Sequence, residues 1–193
     1  MRLIGKPAKI LFFNDHMNTL FRSLEDYKIY YKDIKKNIRK LIKININNKK
    51  KYDHLFRVAV SKKMISISLR KKYKPKLNFK LKLINYKRID PEYKNLKYKK
   101  IINHLKKMDI KKSDIALYND NKILETGTSN LLFIKKNKIY SPLDSFYKGT
   151  TFKFFTKKLK QIKRKNISVE SLSIYDEIIV IGSGKGVVSV NSI

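Results

Sequence analysis

The sequence contains no cysteine and only three histidines. Without cysteine, the chain has no disulfide bridges, no thiolate nucleophile and no cysteine-rich zinc site. The histidines, His16, His54 and His104, stand far apart and lack the spacing of metal ligands, so we expect no metal site. No apolar run approaches the roughly 20 residues that a membrane-spanning helix needs.

The start of the chain also lacks the apolar stretch of a secretory signal peptide, because Lys6 and Pro7 interrupt it early. We therefore expect a cytoplasmic protein without a membrane partner. A hydrophobic fraction of 42% in 193 residues is enough for a real core, in one large domain or two smaller ones.

Acidic residues are scarce, since 15 Asp and Glu stand against 47 Lys and Arg, and the formal net charge is +32. Such a field attracts nucleic acids and anionic lipids. The excess is nearly all lysine, it is spread along the whole chain, and it accompanies abundant Ile and Asn, which share A/T-rich codons with Lys. Nucleic-acid binders usually concentrate arginine or aromatic side chains at one place. We therefore favour genome composition as the cause and expect no nucleic-acid partner.

Helix-type and strand-type patterns alternate along the chain and predict an α/β (α+β) protein of two domains. The motif Ile89-Asp90-Pro91 interrupts these patterns and marks the boundary. We assign residues 1–88 to a smaller N-terminal domain and residues 89–193 to a larger C-terminal domain. The predicted helices cover residues 16–27, 31–44, 99–108 and 152–165. The predicted strands cover residues 2–13, 55–60, 64–69, 77–84, 115–118, 122–125, 131–134, 138–140, 168–172 and 177–181.

Glu125 is the most informative residue, because it lies between two apolar runs that read as strands. Strands disfavour acidic residues, and a buried carboxylate needs a partner. The small polar residues Thr126 to Asn130 follow it directly. The pattern predicts a site at which this carboxylate meets a cation.

Two further clusters of small residues follow Glu125. Gly149-Thr150-Thr151 comes directly before a predicted helix, whose N-terminal N–H groups can bind phosphate, although such a sequence is also an ordinary helix cap. Gly182-Ser183-Gly184 follows an apolar strand, and too few residues remain after Gly186 for a dinucleotide-binding unit or a P-loop. One acid, two phosphate-type loops and many lysines fit pyridoxal phosphate, which needs a lysine, a carboxylate at its pyridine nitrogen and a phosphate cup.

The segment from Asp114 to Phe133, with Glu125 five residues before Asn130, resembles the signature of class IV aminotransferases. These fold-type IV pyridoxal-phosphate enzymes include branched-chain and D-amino-acid aminotransferases and aminodeoxychorismate lyase. The other segments that resemble family motifs occur in the family's order and span nearly the whole chain. They are His16 to Ser23, Phe56-Arg57-Val58, Leu96-Lys97-Tyr98, Gly149-Thr150-Thr151 and Gly182-Ser183-Gly184.

The resemblance implies that Lys97 forms the covalent link to the cofactor and shuttles the proton. Composition alone does not distinguish Lys97 from Lys94, Lys99 and Lys100, which lie in the same stretch. Glu125 would pair with the pyridine nitrogen, and Asn130 would brace its loop. The resemblance assigns the remaining roles as follows: phosphate binding to Thr150, Thr151, Ser183 and Gly184, and substrate binding to Arg57 and Thr128.

Three features depart from the family pattern. Thr19 stands where the family has a phosphate-binding arginine, and Arg22, one helical turn on, is the candidate to replace it. Phe152 stands where an arginine is common after the phosphate-loop threonine. The family's opening Tyr-Gly-x-Gly-x-Phe-Glu run is absent, so we expect an architecture that is truncated at its N-terminus.

The resemblance implies a homodimeric aminotransferase that acts on amino and keto acids, with branched-chain substrates as one candidate. Aminodeoxychorismate lyase, an enzyme of 4-aminobenzoate and folate synthesis, uses the same constellation and is the first alternative. A catalytically decayed, basic nucleic-acid-binding protein is the second alternative, which the charge of +32 keeps open.

Overall fold

The computed structural model describes residues 1–30, 32–159 and 161–193. Contacts divide the chain into two units, Met1–Lys72 and Tyr73–Ile193. The second unit begins before the strand Phe79–Asn85, because that strand is hydrogen-bonded to two other strands of the second unit. The domain boundary expected from the sequence, between residues 88 and 89, lies after this strand and remains a prediction.

The first unit is a four-stranded antiparallel sheet with two helices, and its strand order is β2-β1-β3-β4. Its core is formed by Leu3, Tyr52 and Phe56, against which the helix residue Ile42 packs. Its elements are β1 (Arg2–Gly5), β2 (Lys9–Leu11), α1 (Phe13–Asp26), α2 (Ile34–Asn45), β3 (Tyr52–Val60) and β4 (Ile65–Lys71).

Both predicted helices of the first unit are present, with shifted starts. α1 begins at Phe13 rather than at residue 16 and buries Met17 and Leu24 on one face. Tyr31, the predicted start of the second helix, lies outside the described residues. α2 is helical from Ile34, and Ile38 is its buried residue.

The second unit is a mixed eight-stranded sheet with the order β10-β9-β8-β11-β12-β5-β6-β7. Strands β5 and β6, β5 and β12, and β9 and β10 pair in parallel, and the other pairs are antiparallel. Its strands are β5 (Phe79–Asn85), β6 (Ser113–Asn119), β7 (Lys122–Thr126), β8 (Asn130–Lys135), β9 (Lys138–Pro142), β10 (Lys163–Lys165), β11 (Glu177–Gly182) and β12 (Gly186–Ser192). Its α-helices are α3 (Lys99–Leu105) and α4 (Thr150–Leu159).

The strands predicted at residues 115–118, 122–125, 131–134 and 138–140 are present, and they form the hairpins β6–β7 and β8–β9, each with a two-residue loop. Asp120 and Asn121 have φ values of 49° and 58°, and Lys136 and Asn137 have φ values of 47° and 58°. Two consecutive left-handed residues give the turn whose twist matches that of the flanking strands. The first of these tight turns brings Glu125 on β7 back beside Leu117 on β6.

The centre of this sheet is buried on both faces, which explains why its strands are continuous apolar runs. Leu131 and Phe133 on β8 pack with Phe79 on one face. Leu132, between them in sequence, packs with Phe152 of α4 on the other face. A polar side chain at the end of such a strand is therefore held in a rigid, desolvated frame.

The C-terminal part of the second unit differs from the predicted elements. α4 ends at Leu159, and Lys163–Lys165 forms β10 beside β9, so the helix predicted to residue 165 is too long; Lys160 lies outside the described residues. The strand predicted at residues 168–172 is wrong, because Ser168 makes only an isolated bridge and a 3-10 helix follows at Leu172–Ile174. β12 was not predicted, although its alternating Val188 and Val190 pack inward against the core. No helix among the described residues is long and apolar enough to cross a membrane.

Candidate active site

Glu125 lies on β7 and is only 4% exposed. Its Oε1 is 2.9 Å from Nε of Arg88. Burial raises the pKa of the Glu125 carboxyl from 4.5 to about 7, while the charge of Arg88, a backbone hydrogen bond from Tyr147 and the charge of Lys94 all lower it. The net result is a buried carboxyl that can change its charge near neutral pH.

Arg88 is a site residue that was not predicted from the sequence. Its Nη2 donates to the backbone oxygen of Pro91 at 3.1 Å, and its side chain is 12% exposed. Its Nε forms an ion pair with Oε1 of Glu125, and this contact is one of the causes that lower the pKa of Glu125. The one sequence feature that could have drawn attention to it is its residue type, because arginine is rare in a chain whose cationic residues are nearly all lysine.

The lysines before α3 have different surroundings. Nζ of Lys97 lies 3.0 Å from Oδ2 of Asp90, in an ion pair whose side chains are 53% and 39% exposed. Nζ of Lys94 lies 5.0 Å from the ring centre of Tyr147, and its charge acts on Glu125. The catalytic role of Lys97 remains a prediction, and the described contacts of Lys94 connect that lysine with Glu125.

Asn130, the first residue of β8, joins the Glu125 region to the start of α4. Its Nδ2 donates to the backbone oxygen of Tyr147 at 2.6 Å, and its Oδ1 accepts from the N–H of Gly149 at 3.1 Å. A Cβ atom on Gly149 would lie 3.0 Å from that Oδ1, so a larger residue at this position would require the Asn130 side chain to shift by a few tenths of an ångström. The expected bracing role of Asn130 is therefore seen in its contacts.

Four of the residues with predicted phosphate-binding roles lie at the start of α4 or in the turn beside it: Thr150, Thr151, Ser183 and Gly184. Oγ1 of Thr151 lies 3.0 Å from Oγ of Ser183, which is in the turn between β11 and β12 with Gly184. Thr150 is buried and is the first residue of α4. Two hydroxyl groups beside the N-terminus of a helix are chemically suited to an anion such as phosphate.

A second buried carboxylate, Asp114, holds the same turn in place. It is fully buried, and its Oδ2 accepts hydrogen bonds from Thr128 at 2.6 Å and from Thr126 at 3.0 Å. Nζ of Lys185 lies 3.1 Å from the same oxygen and donates to Thr128 at 3.0 Å. Lys185 directly follows Gly184, so this network ties the turn carrying Ser183 to β6. Neither Asp114 nor Lys185 was predicted from the sequence as a site residue.

Three further residues have predicted binding roles that the described contacts do not address. The hydroxyl of Thr128 bonds to Asp114 and Lys185, and its contact with substrate remains a prediction. Arg22 on α1 and Arg57 on β3 belong to the first unit, and their roles also remain predictions. Thr19, which stands in place of the family's arginine, donates its hydroxyl to the backbone oxygen of Asp15 at 2.9 Å.

The raised pKa of Glu125 predicts a specific dependence of stability on pH. In the unfolded chain this carboxyl ionises at 4.5, whereas in the folded chain it ionises at about 7. Between these values the unfolded chain binds fewer protons, so the contribution of Glu125 to the free energy of unfolding falls as pH rises, by on the order of 3 kcal/mol. Denaturant unfolding of the wild type and of Glu125→Gln at several pH values measures this contribution as the difference between the two proteins.

The exposed Glu170 provides the matched control for this measurement. Glu170→Gln should leave the pH profile of the wild type unchanged. A difference between wild type and Glu125→Gln that stays constant from pH 4.5 to pH 7 would show that burial does not raise this pKa.

Comparison with known proteins identifies the family. The model of amino-transferase class IV matches residues 1–193, and no curated protein matches the chain at a significant level. A branched-chain aminotransferase from Thermoproteus uzoniensis, solved with norvaline, superposes with a TM-score of 0.79 at 17% identity, over 99% of this chain and 75% of that chain. A candidate 4-amino-4-deoxychorismate lyase from Legionella pneumophila gives 0.77 at 18% identity, over 99% and 80%. An aminotransferase from Brucella abortus, solved with the co-factor PLP, gives 0.56 at 18% identity, over 66% and 50%.

At these identities the structural likeness defines the fold, which is that of the fold-type IV aminotransferases. The family model adds the sequence evidence, and its match runs from Met1 to Ile193. The chain therefore belongs to the class IV aminotransferase family.

Proposed function

We propose that this protein is a pyridoxal-phosphate-dependent enzyme that acts on amino and keto acids, and most simply an aminotransferase. The single observation that carries the proposal is Glu125, a carboxyl that is 4% exposed and surrounded by cationic groups in a chain of this family. Burial of a carboxyl is costly even when it is ion-paired, so the pair with Arg88 is weak evidence for a purely stabilising role. The chemistry of Glu125 suits a ligand with a basic nitrogen.

The residues of the second unit fit the cofactor in chemical type. Glu125 offers a carboxylate to the pyridine nitrogen, and the hydroxyls of Thr151 and Ser183 lie 3.0 Å apart at the N-terminus of α4 to receive the phosphate. Asn130 bonds to the segment between these two regions. These contacts link the carboxylate of Glu125 to the hydroxyl groups at the start of α4 before any ligand binds.

In the proposed reaction the cofactor, when bound, supplies an electron-withdrawing ring that stabilises negative charge at the substrate Cα atom. Glu125, when ionised, keeps a proton on the pyridine nitrogen. A lysine before α3 moves the proton to and from the substrate Cα atom. Thr151 and Ser183, whose hydroxyls lie 3.0 Å apart, bind the phosphate.

A lyase acting on aminodeoxychorismate is the second candidate, because the Legionella pneumophila neighbour has this fold over 80% of its length. The same carboxyl, hydroxyl groups and lysine would serve that reaction. Assay of both activities on one preparation separates the two candidates. Homodimeric assembly and a cytoplasmic location, both expected from the sequence, remain predictions.

The test of the cofactor is a reductive labelling experiment. We expect borohydride treatment of the protein with pyridoxal phosphate to attach one pyridoxyl group per chain at low cofactor concentration. Surface lysines are abundant and will also react, but their labelling should rise in proportion to concentration instead of saturating. The variant Thr151→Val/Ser183→Ala should lose the saturating component and keep the proportional one. If the wild type shows only the proportional component, the proposed function is wrong.

A further inference from the structure

The turn between β11 and β12 carries the hydroxyl of Ser183 and ends with Lys185, whose ammonium group is turned into the sheet. Building on the proposed function, we propose that Lys185 is a positioning residue. It holds Ser183 in place for the phosphate through the buried carboxylate of Asp114, without touching the ligand itself. Loss of this side chain should therefore weaken binding of the phosphate group and leave recognition of the ring unchanged.

The turn is short and has few side chains with which to fix itself. Gly182 pairs with Gly186 across the hairpin, so the loop consists of Ser183, Gly184 and Lys185. The glycines, at every second position, restrict the backbone little. Ser183 offers its hydroxyl to the ligand, which leaves Lys185 as the side chain of the loop that can anchor it. Because Gly184 alone separates the two residues, the position of Lys185 limits that of Ser183.

The anchor of Lys185 lies inside the second unit. Its side chain is 13% exposed, and its Nζ lies 3.1 Å from Oδ2 of Asp114, which is fully buried. The same Nζ donates to Oγ1 of Thr128 at 3.0 Å, and that hydroxyl donates to the same carboxylate oxygen at 2.6 Å. Nζ also lies 5.6 Å from the ring centre of the buried Phe79. Lys185 thus connects the turn with β5, with β6 and with the loop that follows β7.

The start of the turn is attached to the same carboxylate by a second route. A Cβ atom on Gly182 would lie 2.6 Å from Oγ of Ser129, so the two residues approach each other closely. The N–H of Ser129 donates to Oγ1 of Thr126 at 2.8 Å, and this hydroxyl donates to Asp114 at 3.0 Å. Both ends of the turn are therefore held by groups that meet at Asp114.

The hydroxyl of Ser183 lies between these two attachments, 3.0 Å from that of Thr151 on α4. A buried ion pair contributes little net stability, because the cost of desolvation offsets the attraction between its charges, but it does restrict the groups that it joins. A binding site that is ordered before the ligand arrives loses less conformational freedom on binding. The pair of Asp114 and Lys185 is thus suited to increase the affinity for phosphate.

Two variants distinguish positioning from a direct contact between Lys185 and the phosphate. Lys185→Met removes the ammonium group and should weaken cofactor binding in either case. Asp114→Asn keeps the shape of the side chain but removes the charge that holds Lys185. Positioning predicts weaker binding in Asp114→Asn because the turn is released. A direct contact predicts tighter binding, because the ammonium group is then free to pair with the phosphate.

The measurement is the concentration of pyridoxal phosphate that gives half of the saturating borohydride label. We expect both variants to raise it by about 10-fold, the lower end of the losses found when residues that support metal ligands are removed. Pyridoxal has the same ring and aldehyde but no phosphate. At a fixed concentration it should label the same lysine to the same extent in the wild type and in both variants.

Lys138→Met is the matched control for the loss of one positive charge. Lys138 is exposed at the start of β9, and its replacement should leave the half-saturating concentration unchanged. Thr128→Val provides a second comparison if Asp114→Asn folds poorly. It removes an acceptor of Lys185 without a change of charge, and positioning predicts weaker binding of pyridoxal phosphate but not of pyridoxal.

Three results would overturn this inference and leave the proposed function standing. They are tighter binding in Asp114→Asn, an unchanged half-saturating concentration in Lys185→Met, and an equal loss of labelling by pyridoxal. A wild type without any saturating label overturns the proposed function itself and this inference with it.

Discussion

Glu125→Gln is expected to lower turnover by about 10²–10³-fold, the usual loss when one preorganised electrostatic group is removed from an active site. Glutamine has nearly the same shape as glutamate and can still accept the backbone hydrogen bond from Tyr147. It cannot supply the negative charge that keeps a proton on the pyridine nitrogen. The measurement is the rate of amine transfer from a panel of amino acids, followed through the absorbance of the cofactor.

Glu177→Gln is the matched control for this prediction. Glu177 opens β11 in the same sheet, opposite Ile134 on β8, and is half-buried rather than fully buried. Its replacement should leave turnover within the scatter of the wild type. A Glu125→Gln enzyme that turns over as fast as the wild type would remove the carboxyl from the mechanism.

Asp114→Ala is expected to lower the free energy of unfolding by about 3–5 kcal/mol, as is usual when one member of a buried ion pair is removed. The substitution leaves Lys185, whose side chain is 13% exposed, without its carboxylate. The hydroxyls of Thr126 and Thr128 lose the acceptor that they share. Denaturant unfolding measures the loss.

Two further variants show whether this loss comes from the network. Lys97→Met breaks an exposed ion pair and should cost less than about 1 kcal/mol. Lys185→Met in the Asp114→Ala background should cost less than in the wild type, because the two side chains interact directly. Equal costs of Lys185→Met in both backgrounds would show that the pair does not act as a unit.

Local sequence signals were sufficient for the parts of the site that lie next to a turn or a helix end. Glu125 stood out because a carboxylate is unusual between two apolar strands, and Asn130 lies five residues further on. Thr151 follows Gly149 at the start of α4, and Ser183 follows Gly182 at the end of β11. The fold brings their hydroxyl oxygens to within 3.0 Å of each other. The two hairpins were predictable for the same reason, since each turn is set by two adjacent residues.

The residues that were not predicted act through contacts that no local pattern encodes. Arg88 reaches Glu125, and Lys185 reaches Asp114, only after the strands have assembled into one sheet. The contacts that connect Lys94 with Glu125 depend on Tyr147, which lies on a loop far along the chain. In a chain with this many lysines, composition provides no means of selecting one of them.

The side-chain amide of Asn130 has a consequence for the size of the ligand that the site can accept. It bonds to the carbonyl of Tyr147 with one atom and to the N–H of Gly149 with the other, so the single segment that leads into α4 is anchored to β8 at two points. Because the backbone of Tyr147 also bonds to Glu125, this anchor contributes to the spacing between the carboxylate and the hydroxyl of Thr151. The protein should therefore bind cofactor analogues less tightly when their phosphate arm is one carbon longer, even if their ring and charge are unchanged.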